Sequence, residues 1–584
     1  MKLAHLSSEN TKQKTIMISS EIRSHGGVPT LFINGKPTPG MAYITYFRKD
    51  ACYRQFSEAG YRLFSIPVYF GDQTINARSM PRPFGPGIFS EKGKADFSIL
   101  DRQVQQVLDD CPDAMIFPRV NMSMPSWWES ENPEECCDTA PKDGPRRSCF
   151  SSDKWFDDTV EMLKRFIAHA ENAPYADRIF AYMLADGNTE EWFSFDQRGS
   201  IGPAARRKFG KNAVPENPEF RHYLSHAAAD AICRFAAKVK EFTGRHKAVG
   251  CFYGYTYEVP FWTSNHHALR EVLKSPDVDF LCSPASYTTR LQPGVDWPTM
   301  VPIDSLQNAG KLYFVENDTR TCRTRLLKDC HPGSVLEHTY DQPIWLGPDS
   351  EEKSIHLLRM NFARNLADAH ASWWFDMWGG WFDSPAMMKE LAEFLKIEKM
   401  FMRDPVRKIP AECAFWLDET AFAYADPTQE HGLAKASRIS IGQCGVPFDF
   451  YEIGDFPERG ALYNANVFVV HADTPAVTAA IEACHQKGIP VMIMRPDEVP
   501  STDEVRNFCV KAGAHCYCVT GDAVHIAPHL AAIHAASDGI KEIKLKGTYR
   551  IIPLLDSGNE SVSDVIRVEM KIGETKLFRL ESNF

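Results

Sequence analysis

Lys311-Leu312-Tyr313-Phe314-Val315-Glu316-Asn317-Asp318 passes from a short apolar, β-prone run straight into an acid, an amide and a second acid. A run of this length without polar alternation predicts a strand buried on both faces, the kind found in parallel sheets. The acids that follow predict a working surface at its C-terminal end, where parallel α/β folds gather their chemistry. Working outward, seven similar runs accompany it: Gly40–Phe47, Arg62–Tyr69, Ala114–Asn121, Ile179–Ala185, Ala248–Tyr255, Asp279–Pro284 and Ala371–Met377. Two of the stretches between them, Glu161–Glu171 and Leu224–Phe242, carry apolar residues three and four apart and predict amphipathic helices. Eight β–α units in about 350 residues fit a (β/α)8 TIM barrel with insertions, here over residues 1–395. No glycine-rich loop follows the first strand, which disfavours a doubly wound nucleotide-binding sheet.

Around residue 400 the pattern restarts. Ala411–Leu417, Phe448–Ile453, Val467–His471, Pro490–Met494 and His515–Val519 read as strands, with helices at Pro475–Gln486 and Thr502–Ala512. They predict a flavodoxin-like α/β domain over residues 396–545. Thr548–Leu555, Asp564–Lys571 and Thr575–Leu580 predict a small antiparallel β domain over residues 546–584. A chain of 584 residues is too long for one hydrophobic core, so several domains are expected.

Composition narrows the partners. The net charge is −11, which argues against a nucleic-acid or membrane-surface partner, since both need a basic face. No apolar run approaches the roughly 20 residues of a membrane span. The 12 Trp and 37 Phe suit either core packing or a site where sugar rings stack on indole. The 16 Cys are scattered with no CxxC pair, as in reduced cytosolic proteins. The N-terminal residues contain no apolar leader core, which predicts a cytoplasmic protein; a secreted or periplasmic protein with its leader removed would read the same.

The fourth strand runs into Ala185-Asp186-Gly187-Asn188-Thr189-Glu190-Glu191-Trp192, and the seventh ends at Glu316. Carboxylates at these two strand ends face each other across a barrel mouth. Glycosidic cleavage needs such a pair, one protonated to donate to the leaving oxygen and one ionised to attack the anomeric carbon. Retaining enzymes hold the two about 5–5.5 Å apart, and repulsion between like groups separates their pKa values.

The chain resembles the clan A glycoside hydrolases, and within them the family 42 β-galactosidases. The resemblance rests on Asn34-Gly35-Lys36-Pro37 before the first strand, Gly187–Trp192 after the fourth, Glu316 at the seventh and Trp373-Trp374-Phe375-Asp376-Met377-Trp378-Gly379-Gly380-Trp381 at the eighth. It also covers the barrel, flavodoxin-like and small β order, and so nearly the whole chain. It implies Glu191 as acid/base, Glu316 as nucleophile, a β-linked hexoside or oligosaccharide as substrate, no cofactor or metal, and a homotrimer. The sequence departs from the clan where Asn normally precedes the acid/base: Glu190 stands there, and Asn188 lies three residues before Glu191. Glu190 is therefore a rival acid/base, and Asn188 a candidate for the sugar contact by a different loop path. A carbohydrate-binding protein on a degenerate barrel is the alternative in a different functional class.

Other candidates lie at the same barrel face. Arg119 and Asn121 close the third strand, where an Arg either orients a catalytic carboxylate or pairs within the barrel. Tyr255 and Glu258 follow the fifth strand and Tyr287 the sixth; either Tyr is a candidate donor to Glu316. Asp376 is a candidate for sugar hydroxyls, and Trp378 and Trp381 for a stacking platform or a buried plug. Tyr43 on the first strand reads as packing. Cys136, Cys137 and Cys149 lack a zinc spacing, Gly442-Gln443-Cys444-Gly445 only faintly resembles a nucleophile elbow, and His266-His267 has no carboxylates at metal-ligand spacing.

Overall fold

The computed structural model describes residues 18–582, apart from 75, 77–79, 81–82, 139–146, 194–200, 260–263, 425–432 and 497. Its centre is a closed barrel of eight parallel strands. In chain order they are Met41–Ile44, Leu63–Tyr69, Met115–Asn121, Ala181–Ala185, Ala248–Phe252, Phe280–Pro284, Leu312–Asn317 and Ala371–Phe375. Each lies within or against a run read from the sequence. Both faces of these strands are buried, which is why they appear as continuous apolar runs.

The barrel interior is filled by Ala42, Leu63, Phe117, Met183, Phe252, Phe280, Phe314 and Trp373 among others. Gly250 is required there: a Cβ at this position would lie 2.1 Å from the Phe280 ring. A second, larger core joins the strands to the surrounding helices. Helix Asp153–Asn172 illustrates its logic, with Ser152 accepting the Trp155 amide as N-cap and Trp155, Leu163, Phe166 and Ile167 turned inward.

The N-terminal face is closed by a hairpin absent from the sequence reading, Ser20–His25 paired antiparallel with Val28–Ile33 through the two-residue turn Gly26-Gly27, both with positive φ. Its first strand is polar, SEIRSH, and holds its place through specific bonds rather than apolar pattern. Buried Ser20 donates to the Phe180 carbonyl and accepts the Ala248 amide, joining the bottoms of strands four and five.

Beyond the barrel, Cys413–Leu417, Phe448–Glu452, Ala465–Val469 and Val491–Met494 form a parallel sheet whose spatial order is second, first, third, fourth. A five-stranded antiparallel sheet follows, comprising Ala523–Ala527, Leu530–His534, Gly539–Leu554, Ser561–Met570 and Thr575–Glu581. Two corrections to the strand reading arise here. His515–Val519 is not a strand: Tyr517 donates its amide to Gly445 in the loop before Phe448–Glu452 and accepts that of Lys544, linking a loop to the antiparallel sheet instead of joining a ladder. Ala523–Ala527 and Leu530–His534, unread in the sequence, are strands despite their alanines, because packing on the barrel's helix Glu351–Asp368 outweighs weak β-propensity. Among the described residues no helix is long and apolar enough to cross a membrane.

The second unit is bolted to the barrel near its mouth. Buried Glu419 accepts the Leu269 and Arg270 amides at 2.9 and 3.2 Å, capping the short barrel helix Leu269–Lys274. That helix begins two residues after His267, whose ring lies 4.5 Å from Phe422.

Candidate active site

Strand four ends in a backbone that few side chains tolerate. Gly187, Thr189, Glu190 and Trp192 all have positive φ, between 56° and 74°. A Cβ at Gly187 would lie 2.4 Å from the Phe193 carbonyl oxygen. Left-handed geometry at three non-glycine residues costs on the order of 1–3 kcal/mol each and collects where function demands it. The turn is held by the Trp192 amide donating to Asp186 and the Asn188 amide to Phe193, and by a fully buried Trp192 indole that donates to Leu184. Its effect is to aim two consecutive carboxylates at the barrel mouth.

Arg119 organises them. Its Nε lies 2.8 Å from Glu190, its Nη1 3.6 Å from Glu316, and its Nη2 donates to the Thr189 carbonyl at 3.1 Å. Its guanidinium is 4.3 Å from the Phe252 ring centroid and is buried. With Glu190, Glu316 and Glu191 around it, its pKa is held above the ordinary value despite burial. Glu190 has no exposure: Oε1 accepts from Asn121 Nδ2 at 3.3 Å, and Oε2 is held by the Arg119 charge without a hydrogen bond.

Glu191 has a different environment. Tyr255 donates its hydroxyl to Oε1 at 2.9 Å and Thr189 to Oε2. Burial raises its pKa, and the Glu190 charge adds to the shift. Glu316 sits opposite Trp373 in the register of strands seven and eight, and the indole N–H donates to it at 3.1 Å. Burial pushes Glu316 up to about 8, the Arg119 charge opposes the shift, and the charges of Glu191 and Asp318 add to it. Burial and the charge of Glu191 thus favour a protonated carboxyl in this cluster near neutral pH. The donor set fixes which one favours the charge: Arg119 and Trp373 beside Glu316 can only donate, while the hydroxyls beside Glu191 can also accept.

His266, unassigned from sequence, supports the same turn. Its Nδ1 accepts the Gly254 and Tyr255 amides at 3.2 and 3.3 Å, so Nε2 carries the hydrogen and donates to the Glu191 carbonyl at 2.7 Å. Burial pushes its pKa down to about 3, keeping it neutral.

The remaining candidates separate cleanly. Arg119 and Asn121 are on the carboxylate cluster. Tyr255 is on Glu191 and not on Glu316; the donor to Glu316 is Trp373, a correction that the strand register explains. Tyr287 is 37% exposed and lies in the field of both Glu191 and Glu316. Asn188 serves through its backbone, pairing with Phe193. Asp376 accepts the Tyr43 hydroxyl at 2.8 Å and the Gly380 and Trp381 amides, so it ties the strand-eight loop together instead of meeting a sugar. Trp378 and Trp381 have no exposure and pack edge to face at 5.0 Å, a plug and not a stacking platform. Tyr46, Trp373, Thr189 and His266 were missed, and only Trp373 had a signal, its place in the aromatic run of strand eight.

No protein-family model and no curated protein matches the chain. Solved structures do. A β-galactosidase from the psychrophilic Marinomonas ef1 superposes with a TM-score of 0.61 at 9% identity, covering 93% of this chain and 100% of that one. The chain shares the fold of β-galactosidases. One from Bacillus circulans sp. alkalophilus gives 0.58 at 12% identity, over 93% of this chain and 98% of its own. An exo-carrageenase of family GH42 from Bacteroides ovatus gives 0.57 at 11% identity, over 97% and 86%.

Proposed function

We propose that the protein is a retaining exo-β-glycosidase acting on terminal β-linked hexosides, β-galactosides first and β-mannosides or β-glucosides next. The observation that carries this reading is the cluster around Arg119, in which carboxylates from strands four and seven share one buried charge network. Glu191 protonates the glycosidic oxygen while Glu316 attacks the anomeric carbon and forms a glycosyl-enzyme. Glu191 then takes a proton from water, which releases the sugar with its configuration retained. Glu190 is the positioning residue: it has no exposure, pairs with the Arg119 charge and accepts from Asn121, and so holds Arg119 against Glu316. The fold shared with β-galactosidases supports the reaction class and ranks the sugars. The α/β unit built on the parallel sheet from Cys413–Leu417 to Val491–Met494 would serve assembly in a homotrimer, which light scattering on the purified chain tests; the antiparallel sheet begins at Ala523, inside the span 396–545 expected for that unit.

The deciding experiment is a panel of para-nitrophenyl glycosides with Glu316→Ala as control. Release from one β-glycoside, lost in the variant, supports the reading and names the sugar. Binding of intact oligosaccharides without turnover on any substrate would replace it with a carbohydrate-binding protein.

A further inference from the structure

Beside the carboxylate pair, two arginines share one acid. Arg290 and Arg320 each place Nη1 on Asp318, at 2.5 and 2.8 Å, and Asp318 lies two residues beyond Glu316. Arg290 is 7% exposed and Arg320 not at all. Arg290 Nε and Arg320 Nε and Nη2 are buried with no hydrogen-bond partner among the described residues. A buried donor left unpaired costs about 1–3 kcal/mol, so three in one place call for an acceptor. Two guanidiniums against one carboxylate also leave one positive charge uncompensated. Arg119 differs in charge balance: its Nε and Nη1 also make no hydrogen bond, but Tyr46 and three glutamates hold it above the ordinary arginine value, whereas Arg320 is pulled down to about 10 by burial that Asp318 does not offset.

The pair belongs to the mouth of the barrel. The Arg290 guanidinium is 4.6 Å from the ring of Tyr287, and Tyr287 lies in the field of Glu191 and Glu316. Trp345, half-buried, lies 4.6 Å from Arg320 and 5.6 Å from Arg290. A guanidinium fork beside exposed aromatic surface matches a planar or trigonal oxyanion carried on an apolar ring face.

We propose that Arg290 and Arg320 form an anion-recognition subsite, and that the preferred sugar carries a carboxylate or a sulfate ester. The proposal rests on the glycosidase reading for the identity of the ligand as a sugar. Its test is calorimetric titration of the full chain with methyl β-glycosides of galactose, glucose and mannose, each beside its uronate and its 6- and 4-sulfates. In at least one family an anionic member binds about tenfold or more tighter than its neutral parent; a uronate or a sulfate as that member tells the two sources apart. Arg290→Gln removes the preference, and Arg320→Lys, which keeps charge but loses the fork, weakens it. Circular dichroism checks that both variants fold, and the wild-type ratio stands by itself if they do not. If no anionic member outbinds its parent in any family, the proposal is overturned. The glycosidase reading survives that result if neutral para-nitrophenyl glycosides are cleaved; anion binding without cleavage of any glycoside, charged or neutral, removes the glycosidase reading and leaves the subsite.

Discussion

Replacing Glu316 by Gln separates the electrostatics of the site from its packing. Gln has nearly the same shape and can still accept the Trp373 N–H, but it carries no titratable group. The carboxyl is raised from an ordinary 4.5 to about 8, mainly by burial. Between those values the folded chain holds a proton that the unfolded chain releases, so wild-type stability falls as pH rises through this window. At about 1.4 kcal/mol per pH unit, the penalty is below about 1 kcal/mol at pH 5 and reaches ~4 kcal/mol at pH 8. The sign is the same whichever of the paired oxygens keeps the proton. Glu316→Gln is therefore expected to be inactive, to melt close to wild type at pH 5, and to melt several degrees above it at pH 8. Melting curves of both proteins at half-unit pH steps measure this directly. A difference that stays flat from pH 5 to pH 8 would refute a protonated carboxyl in this buried cluster, and with it the account of how two glutamates acquire different roles.

Three further outcomes follow from the same contacts. Glu191→Gln lowers kcat about 10²–10⁴-fold on substrates with poor leaving groups and far less on activated aryl glycosides, whereas Glu190→Gln, which loosens Arg119, depresses both alike; leaving-group dependence of kcat distinguishes them. Tyr255→Phe removes a hydrogen bond that lowers the Glu191 pKa, so the basic limb of the kcat/KM profile moves to higher pH. Glu419→Ala uncaps the helix Leu269–Lys274 and costs about 1–2 kcal/mol, read as a lower melting temperature with KM unchanged.

The eight barrel strands were legible because each is buried on both faces, and double burial writes itself as an uninterrupted apolar run. Carboxyls at the ends of strands four and seven were legible for a related reason: a polar residue ending such a run has only the barrel mouth to occupy. Strand ends alone left Glu190 and Glu191 as rivals. The N-terminal hairpin offered only its Gly26-Gly27 turn as a signal, because its first strand is polar and Ser20 holds its place by two hydrogen bonds that leave no periodicity. Ala523–Ala527 and Leu530–His534 were not legible, because their alanines become strands only against a helix from residues 351–368.

Roles within the site divide along the same line. Composition, periodicity and strand ends, local properties of the chain, established the barrel, its order of units and acids at the ends of strands four and seven. What only the tertiary structure decided is who touches whom. Parallel register sets Trp373 beside Glu316, a strained turn sends Tyr255 to Glu191, and Arg119 takes up Glu190 and so sets it apart from Glu191. Asp376, Trp378 and Trp381 look like a sugar platform in sequence and are a buried plug in space. Burial and charge are sums over neighbours distant in the chain, and no single segment carries them.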